Sequence, residues 1–246
     1  MGAFSIAKTL LFLKKKVVFI VDSSNRQIVE DFLSTSKITS NCSIYSYSCE
    51  LNPILDQNAE ELSNTILTKN ELDCLVTIER FGRAEDGKYY SMRAMDLSNS
   101  CGNIDLLFEI AKKNKIPTIS IGDGGNEIGM GKVIKNVKKF INNGEIIAAS
   151  CSADFLIIVG VSNWGGLALS AGLFLLNSKN NQNLKLNDYL LTIEEEFKLL
   201  KDLVSVGSID GISGKSELTI DGFDYLEIHS KILKEIREIC LKEMKN

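Results

Sequence analysis

Hydrophobic and polar positions follow two rhythms along this chain. Short apolar runs of strand length occur at Val17–Asp22 (VVFIVD), Cys42–Tyr47, Asp73–Ile78 (DCLVTI), Ile116–Ile121 (IPTISI) and Phe155–Val161 (FLIIVGV). They read as buried strands. Between them, helical spacing appears near 3–13, 25–34, 56–69, 103–114, 131–142 and 165–177. This alternation predicts an α/β fold, an open and mostly parallel sheet with helices on both faces. Past Asn187, helical spacing returns at about 188–203 and 224–243, around a Gly/Asp-rich loop. These segments predict a helical C-terminal appendage, and without repeats or low-complexity tracts the expectation is one domain over residues 1–246.

Composition narrows the function classes. The 246 residues are 44% hydrophobic and 24% charged, ordinary values for a soluble globular protein, so no membrane span is expected. The formal net charge of -4 offers no basic surplus for nucleic acid. A single histidine, His229, excludes a two-His metal site and nearly all triad chemistry outside the C-terminal helix; it reads as an ordinary helix residue. The six cysteines form no C-x-x-C pair and read as thiols in a reducing compartment. At the N-terminus the charges follow the apolar stretch, and no cleavage site is evident. The expected location is cytoplasmic, or the mitochondrial matrix in a eukaryote. A homo-oligomer is left open.

In such sheets ligands bind at the carboxyl ends of strands. The loop Gly122–Gly131 (GDGGNEIGMG) holds five of the 18 glycines, a density that lets backbone amides approach an anion. It fits neither the P-loop nor the G-x-G-x-x-G spacing. A tight turn needs glycine, but not Asp123, Asn126 and Glu127 interleaved with it. Those three suggest ligands for a hard cation or acid–base groups. Arginine gives a second clue, since the chain has 23 Lys and five Arg, and Arg80, Arg83 and Arg93 share one loop. A guanidinium matches a carboxylate or phosphate bidentately. The competing reading pairs these arginines with Glu79, Glu85, Asp86 and Asp96. Trp164, in Ser162–Gly166 (SNWGG), suits either a core plug or a site. Asp210-Gly211 and Asp221-Gly222 are turn signals. Lys132, Lys135, Lys138 and Lys139 read as a solvated helix face.

Four stretches together resemble the C-terminal domain of the D-glutamate cyclase family: Ile78–Asp96 (IERFGRAEDGKYYSMRAMD), Ile119–Lys132, Val161–Ala168 (VSNWGGLA) and Ser208–Gly222 (SIDGISGKSELTIDG). They occur in family order across nearly the whole chain. The resemblance implies an α/β domain, a lyase converting D-glutamate to 5-oxo-D-proline, and a divalent cation, Mn2+ or Mg2+. Relatives usually carry an acidic Thr-Asp-Gly-Pro-type loop ahead of the segment matching Gly2-Ala3, a loop this sequence does not include.

Such a ring closure needs a base for the substrate ammonium, an offset for the carboxylate charge, and a folded near-attack shape. The expected catalytic groups are Glu127, Asp123 and Asp210. Arg80 and Arg83 are expected on the carboxylates of a small acidic substrate. Gly124, Gly125, Asn126, Asn163 and Trp164 complete the substrate site, and Asp123 and Glu127 are the expected metal ligands. The alternative is a metal-dependent phosphohydrolase of a small phosphorylated metabolite, since the same loop and arginines would suit phosphate. A non-catalytic binder of acidic metabolites is the third reading.

Overall fold

The computed structural model describes residues 1–36, 41–49, 53–181 and 183–244. Its elements run α1 (Gly2–Phe12), β1 (Val17–Asp22), α2 (Arg26–Thr35), β2 (Cys42–Tyr47), α3 (Pro53–Asn70), β3 (Leu75–Ile78) and α4 (Asp105–Lys113). Then follow β4 (Thr118–Gly122), α5 (Ile134–Phe140), α6 (Gly144–Ile147), β5 (Phe155–Ile158) and α7 (Ser162–Ser178). The last part contains α8 (Leu186–Tyr189), α9 (Ile193–Ser205), β6 (Thr219–Ile220), β7 (Phe223–Asp224) and α10 (Ser230–Glu243). The fold is α/β, and the chain divides into two compact units. No described helix is long and apolar enough to cross a membrane.

The first unit comprises residues 18–26 and 44–162. Its centre is a parallel sheet in the order β3-β4-β5, with Leu75 opposite Thr118 and Ile119 opposite Phe155. Ile66 of α3, Leu107 and Ala111 of α4, and Ile128 are fully buried in one core. β1 and β2 form a separate two-stranded pair instead of continuing that sheet. The expectation that every apolar run is a buried strand also fails at β5. Phe155 and Ile158 are 61% and 58% exposed, because β5 is an edge strand. An apolar run has the same appearance whether the strand is central or at an edge.

The second unit comprises residues 1–17, 27–43 and 163–246. Its core gathers Phe174 of α7, Tyr189 of α8, Leu190 just past it and Leu233 of α10, and the rings of Phe4 and Phe32 meet at 4.0 Å. α9 starts at Ile193, later than its periodicity suggests, because Thr192 and Glu195 close a reciprocal capping box. α10 is likewise entered late, through a π-helical turn over Tyr225–His229. β6 and β7 form a hairpin joined by Asp221-Gly222, whose φ angles of 51° and 74° suit the left-handed type I′ turn. In the SNWGG segment, a Cβ at Gly166 would come within 2.7 Å of the Gly2 backbone, so only glycine permits this approach of α7 to α1.

Candidate active site

Three strands of the first unit end in acids: Asp22 closes β1, Glu79 follows β3, and Asp123 follows β4. Glu79 has φ 53°, a left-handed conformation that costs a non-glycine residue roughly 1–3 kcal/mol. Its N–H donates to the Ile121 carbonyl at 3.0 Å, which ties the strained residue to β4. A carboxylate oxygen of Glu79 lies within 4.8 Å of one of Asp123. Asp123 Oδ2 accepts the Ser162 amide at 2.7 Å and the Ser162 hydroxyl at 2.8 Å, which fixes the plane of the carboxylate. Its Oδ1 accepts no hydrogen bond from the described residues of this unit. The paired acids are a feature that residue-by-residue reading of the glycine-rich loop missed. The signal available was the repeated pattern of an apolar strand ending in an acid.

The glycine-rich loop does gather backbone amides around an anion, and that anion is its own Glu127. Oε1 accepts the N–H groups of Asp123 at 3.0 Å and Gly124 at 2.7 Å, and Oε2 accepts that of Gly125 at 2.6 Å. Burial pushes the Glu127 carboxyl above its usual range, and the nearby Asp123 charge adds to this, while the three amides oppose it. Gly125, at φ 104°, can take its position only as glycine, because Val137 fills the space where a side chain would go. Asn126 is buried and donates from Nδ2 to the Tyr90 carbonyl at 2.7 Å, so it joins this loop to the arginine-bearing one. Backbone bonds from Ile128 to Arg80 and from Gly82 to Asn126 continue the join.

The arginines divide by role. Arg80 is committed internally: it donates to Asp22 at 2.7 Å, to the Gly102 carbonyl at 3.0 Å and to the Phe81 carbonyl at 2.7 Å. Its partner is thus Asp22, on β1, and none of the four acids expected from its own loop. Arg83 is half-exposed, with its guanidinium 4.0 Å from Glu109 and its amide bonded to Asp105. Arg93 is exposed.

The remaining candidates lie in the second unit, and each is engaged there. Asn163 Oδ1 accepts the Gly2 amide at 2.6 Å, serving the first turn of α1. Trp164 Nε1 donates to His229 Nδ1 at 2.9 Å. His229 Nε2 is 2.9 Å from the Ile220 carbonyl, so Nδ1 accepts and Nε2 carries the proton. His229 is therefore a buried polar hub closing the π-helical turn, where an ordinary helix residue was expected. Asp210 accepts four hydrogen bonds, from Ile212 and Ser213 amides on one oxygen and from Thr219 hydroxyl and Gly222 amide on the other. Burial opposes ionisation of Asp210, but these donors outweigh it and hold the carboxyl below its usual value.

A divalent cation would need oxygen ligands with spare lone pairs directed outward. Glu127 turns both oxygens toward the loop amides, with two donors on Oε1 and one on Oε2. Glu79 and Asp123 each offer a carboxylate oxygen within 4.8 Å of the other, the donor chemistry a hard cation takes.

The family described as D-glutamate cyclase-like, C-terminal, matches residues 1–237. Human mitochondrial D-glutamate cyclase is 34% identical over 271 aligned positions, covering 99% of this chain and 42% of the relative. The chain thus spans less than half the length of that relative. With a family match over nearly its full length, the chain belongs to the D-glutamate cyclase-like C-terminal family.

Proposed function

We propose that this protein is a lyase that closes D-glutamate into 5-oxo-D-proline with loss of water. The observation that carries the reading is the chain-wide likeness to a D-glutamate cyclase. The acid pair at the ends of β3 and β4 supplies chemistry the reaction requires. In the ring closure the substrate nitrogen bonds to its own γ-carboxyl carbon, and two protons shed by the ammonium leave with a carboxylate oxygen as water. No external proton is consumed, so the protein has to move protons between two parts of one bound molecule.

Glu79 and Asp123 suit that task. Two carboxylates within 4.8 Å attract a substrate ammonium and offer oxygens that can accept its protons. The Ser162 bonds hold Asp123 in one orientation while Oδ1 faces the substrate nitrogen. Glu127 is a positioning residue in this scheme, since its three amide bonds shape the turn that carries Asp123. The same Glu79–Asp123 pair would hold a divalent Mn2+ or Mg2+, which when bound would polarise the γ-carboxyl group as a Lewis acid. The phosphohydrolase reading is not favoured, because the loop amides that would cradle a phosphate already hold Glu127.

Proton NMR of the purified protein with D-glutamate, and separately L-glutamate, tests the proposal with added Mn2+ or Mg2+ and with chelator. Formation of 5-oxoproline from the D form is expected. Its absence under every metal condition overturns the reading, and a chelator effect separates the proton-transfer role of the acid pair from the metal-holding one.

A further inference from the structure

Arg80 is committed to Asp22 and Arg83 lies 4.0 Å from Glu109, whereas the third arginine of this loop has no ion pair among the described residues. Arg93 occupies the tip of a tightly built turn beside the glycine-rich loop. Ala94 N–H donates to the Ser91 carbonyl at 2.9 Å, closing the turn, and Ser91 Oγ accepts the Arg93 and Met95 amides at 3.3 and 3.2 Å. Ala94 is left-handed, at φ 57°, a strained state that persists only where the surroundings impose it. The imposition is visible on both sides. The flanking segments meet in an isolated antiparallel bridge at Tyr90 and Asp96, with Lys88 bridging to Asp96 at 3.0 Å.

The turn is also anchored to the candidate site. Asn126 holds the Tyr90 carbonyl, and Asn143 Nδ2 donates to the Met92 carbonyl at 3.2 Å. The Met92 side chain lies against Gly124, so close that a Cβ there would come within 2.6 Å of its Sδ. Gly124 is the residue next to Asp123. A strained, doubly anchored turn is an expensive way to display a solvated side chain, and the side chain at its tip is an arginine whose guanidinium has no ion pair among the described residues. In a chain that uses Lys for 23 of its 28 basic positions, an arginine here offers a planar fork that matches a carboxylate bidentately.

We propose that Arg93 is the guanidinium that binds the α-carboxylate of the substrate, holding it while the ammonium meets the Glu79–Asp123 pair. This assignment rests on the cyclase reading of the site. It makes Arg93 a binding residue with little part in the bond-making step, so its loss raises KM more than it lowers kcat.

Steady-state kinetics of Arg93→Ala and Arg93→Lys, with D-glutamate and with its α-amide, test the assignment. For Arg93→Ala, KM for D-glutamate is expected to rise roughly 10- to 100-fold with kcat within a few-fold, since one charge-assisted bidentate contact is lost. Arg93→Lys should recover part of that loss. The α-amide, lacking the carboxylate, should be used poorly and equally by wild type and Arg93→Ala. An unchanged KM, or an equal penalty on both substrates, overturns the assignment. Should the wild type turn over no D-glutamate at all, the cyclase reading fails by itself, and thermal stabilisation by glutarate then decides about Arg93. A shift in wild type that disappears in Arg93→Ala supports a carboxylate reader; equal shifts in both, or none in either, overturn it.

Discussion

Glu127 in the first unit and Asp210 in the second are both nearly inaccessible carboxylates, and each is held by hydrogen-bond donors of its own loop. Their acidities nonetheless move in opposite directions, Glu127 up and Asp210 down. Asp210 has four donors on two oxygens, which together outweigh the burial that opposes its ionisation. Glu127 has three donors, and it shares its turn with Asp123, whose charge works against ionisation. The difference separates a clasp from a site. A structural carboxylate is surrounded until its charge is satisfied; a functional loop crowds negative charges together and holds one of them with an unused oxygen.

The comparison breaks most visibly in activity. Asp123→Asn and Glu79→Gln should each lower kcat roughly 10^3-fold, within the range for loss of a general acid–base group, with little change in Tm. Turnover of D-glutamate by each variant, measured beside its thermal melt, checks this. Near-wild-type turnover in both would remove the acid pair from the reaction. The mirror image is expected for Asp210→Ala. Removing an anion from four buried donors should cost about 3 kcal/mol, or about 10 °C in Tm, while the fraction that remains folded keeps its kcat. A stable but inactive Asp210→Ala protein would return Asp210 to the catalytic list.

Much of this was written in the residue pattern, and the limits have physical causes. The apolar runs located β1 to β5, and the same apolar character hid that β5 is an exposed edge. Asp221-Gly222 announced its turn because few residues tolerate two successive positive φ angles. Glu79 gave no such notice. Its left-handed backbone is imposed by the bond to Ile121, and nothing in a glutamate advertises that conformation. Arg80 was legible as an unusual choice, but its partner Asp22 lies 58 positions away, and no local pattern records that pairing. The glycine-rich loop was recognised as an anion nest, and only the fold shows that the anion is internal.

The opposite shifts of Glu127 and Asp210 also predict opposite pH slopes. Asp210, depressed when folded, stabilises the protein above about pH 4, and that contribution is lost as pH falls through its lower folded value. Glu127, raised when folded, behaves in reverse. Its contribution is fully present below about pH 4.3 and is lost as pH rises through the higher folded value. Each slope is limited to about 1.4 kcal/mol per pH unit. Urea midpoints from pH 3 to 7 should show the wild-type advantage over Asp210→Ala growing with pH. The difference between wild type and Glu127→Gln should shrink as pH rises. Parallel curves for the two variants would erase the distinction between clasp and site.

The smallest expected effect concerns the other buried titratable group of the second unit. Burial lowers the His229 pKa, and the Trp164 Nε1–H directed at its Nδ1 lone pair adds a reason to stay neutral, because an imidazolium has a proton in that place. The backbone acceptor at Ile220 and the nearby acids Asp210 and Asp224 pull the other way. Since the folded value is depressed, the neutral ring stabilises the protein above about pH 6.5, and this is lost as pH falls through the folded value. Trp164→Phe keeps the ring packing at 5.7 Å and deletes only the donor. It should cost about 1 kcal/mol at neutral pH and move the His229 titration upward toward its ordinary value. With one histidine in the chain, a single imidazole resonance reports the result without assignment. A titration midpoint that does not move would mean that burial alone sets the ring's charge and that Trp164 serves only as packing.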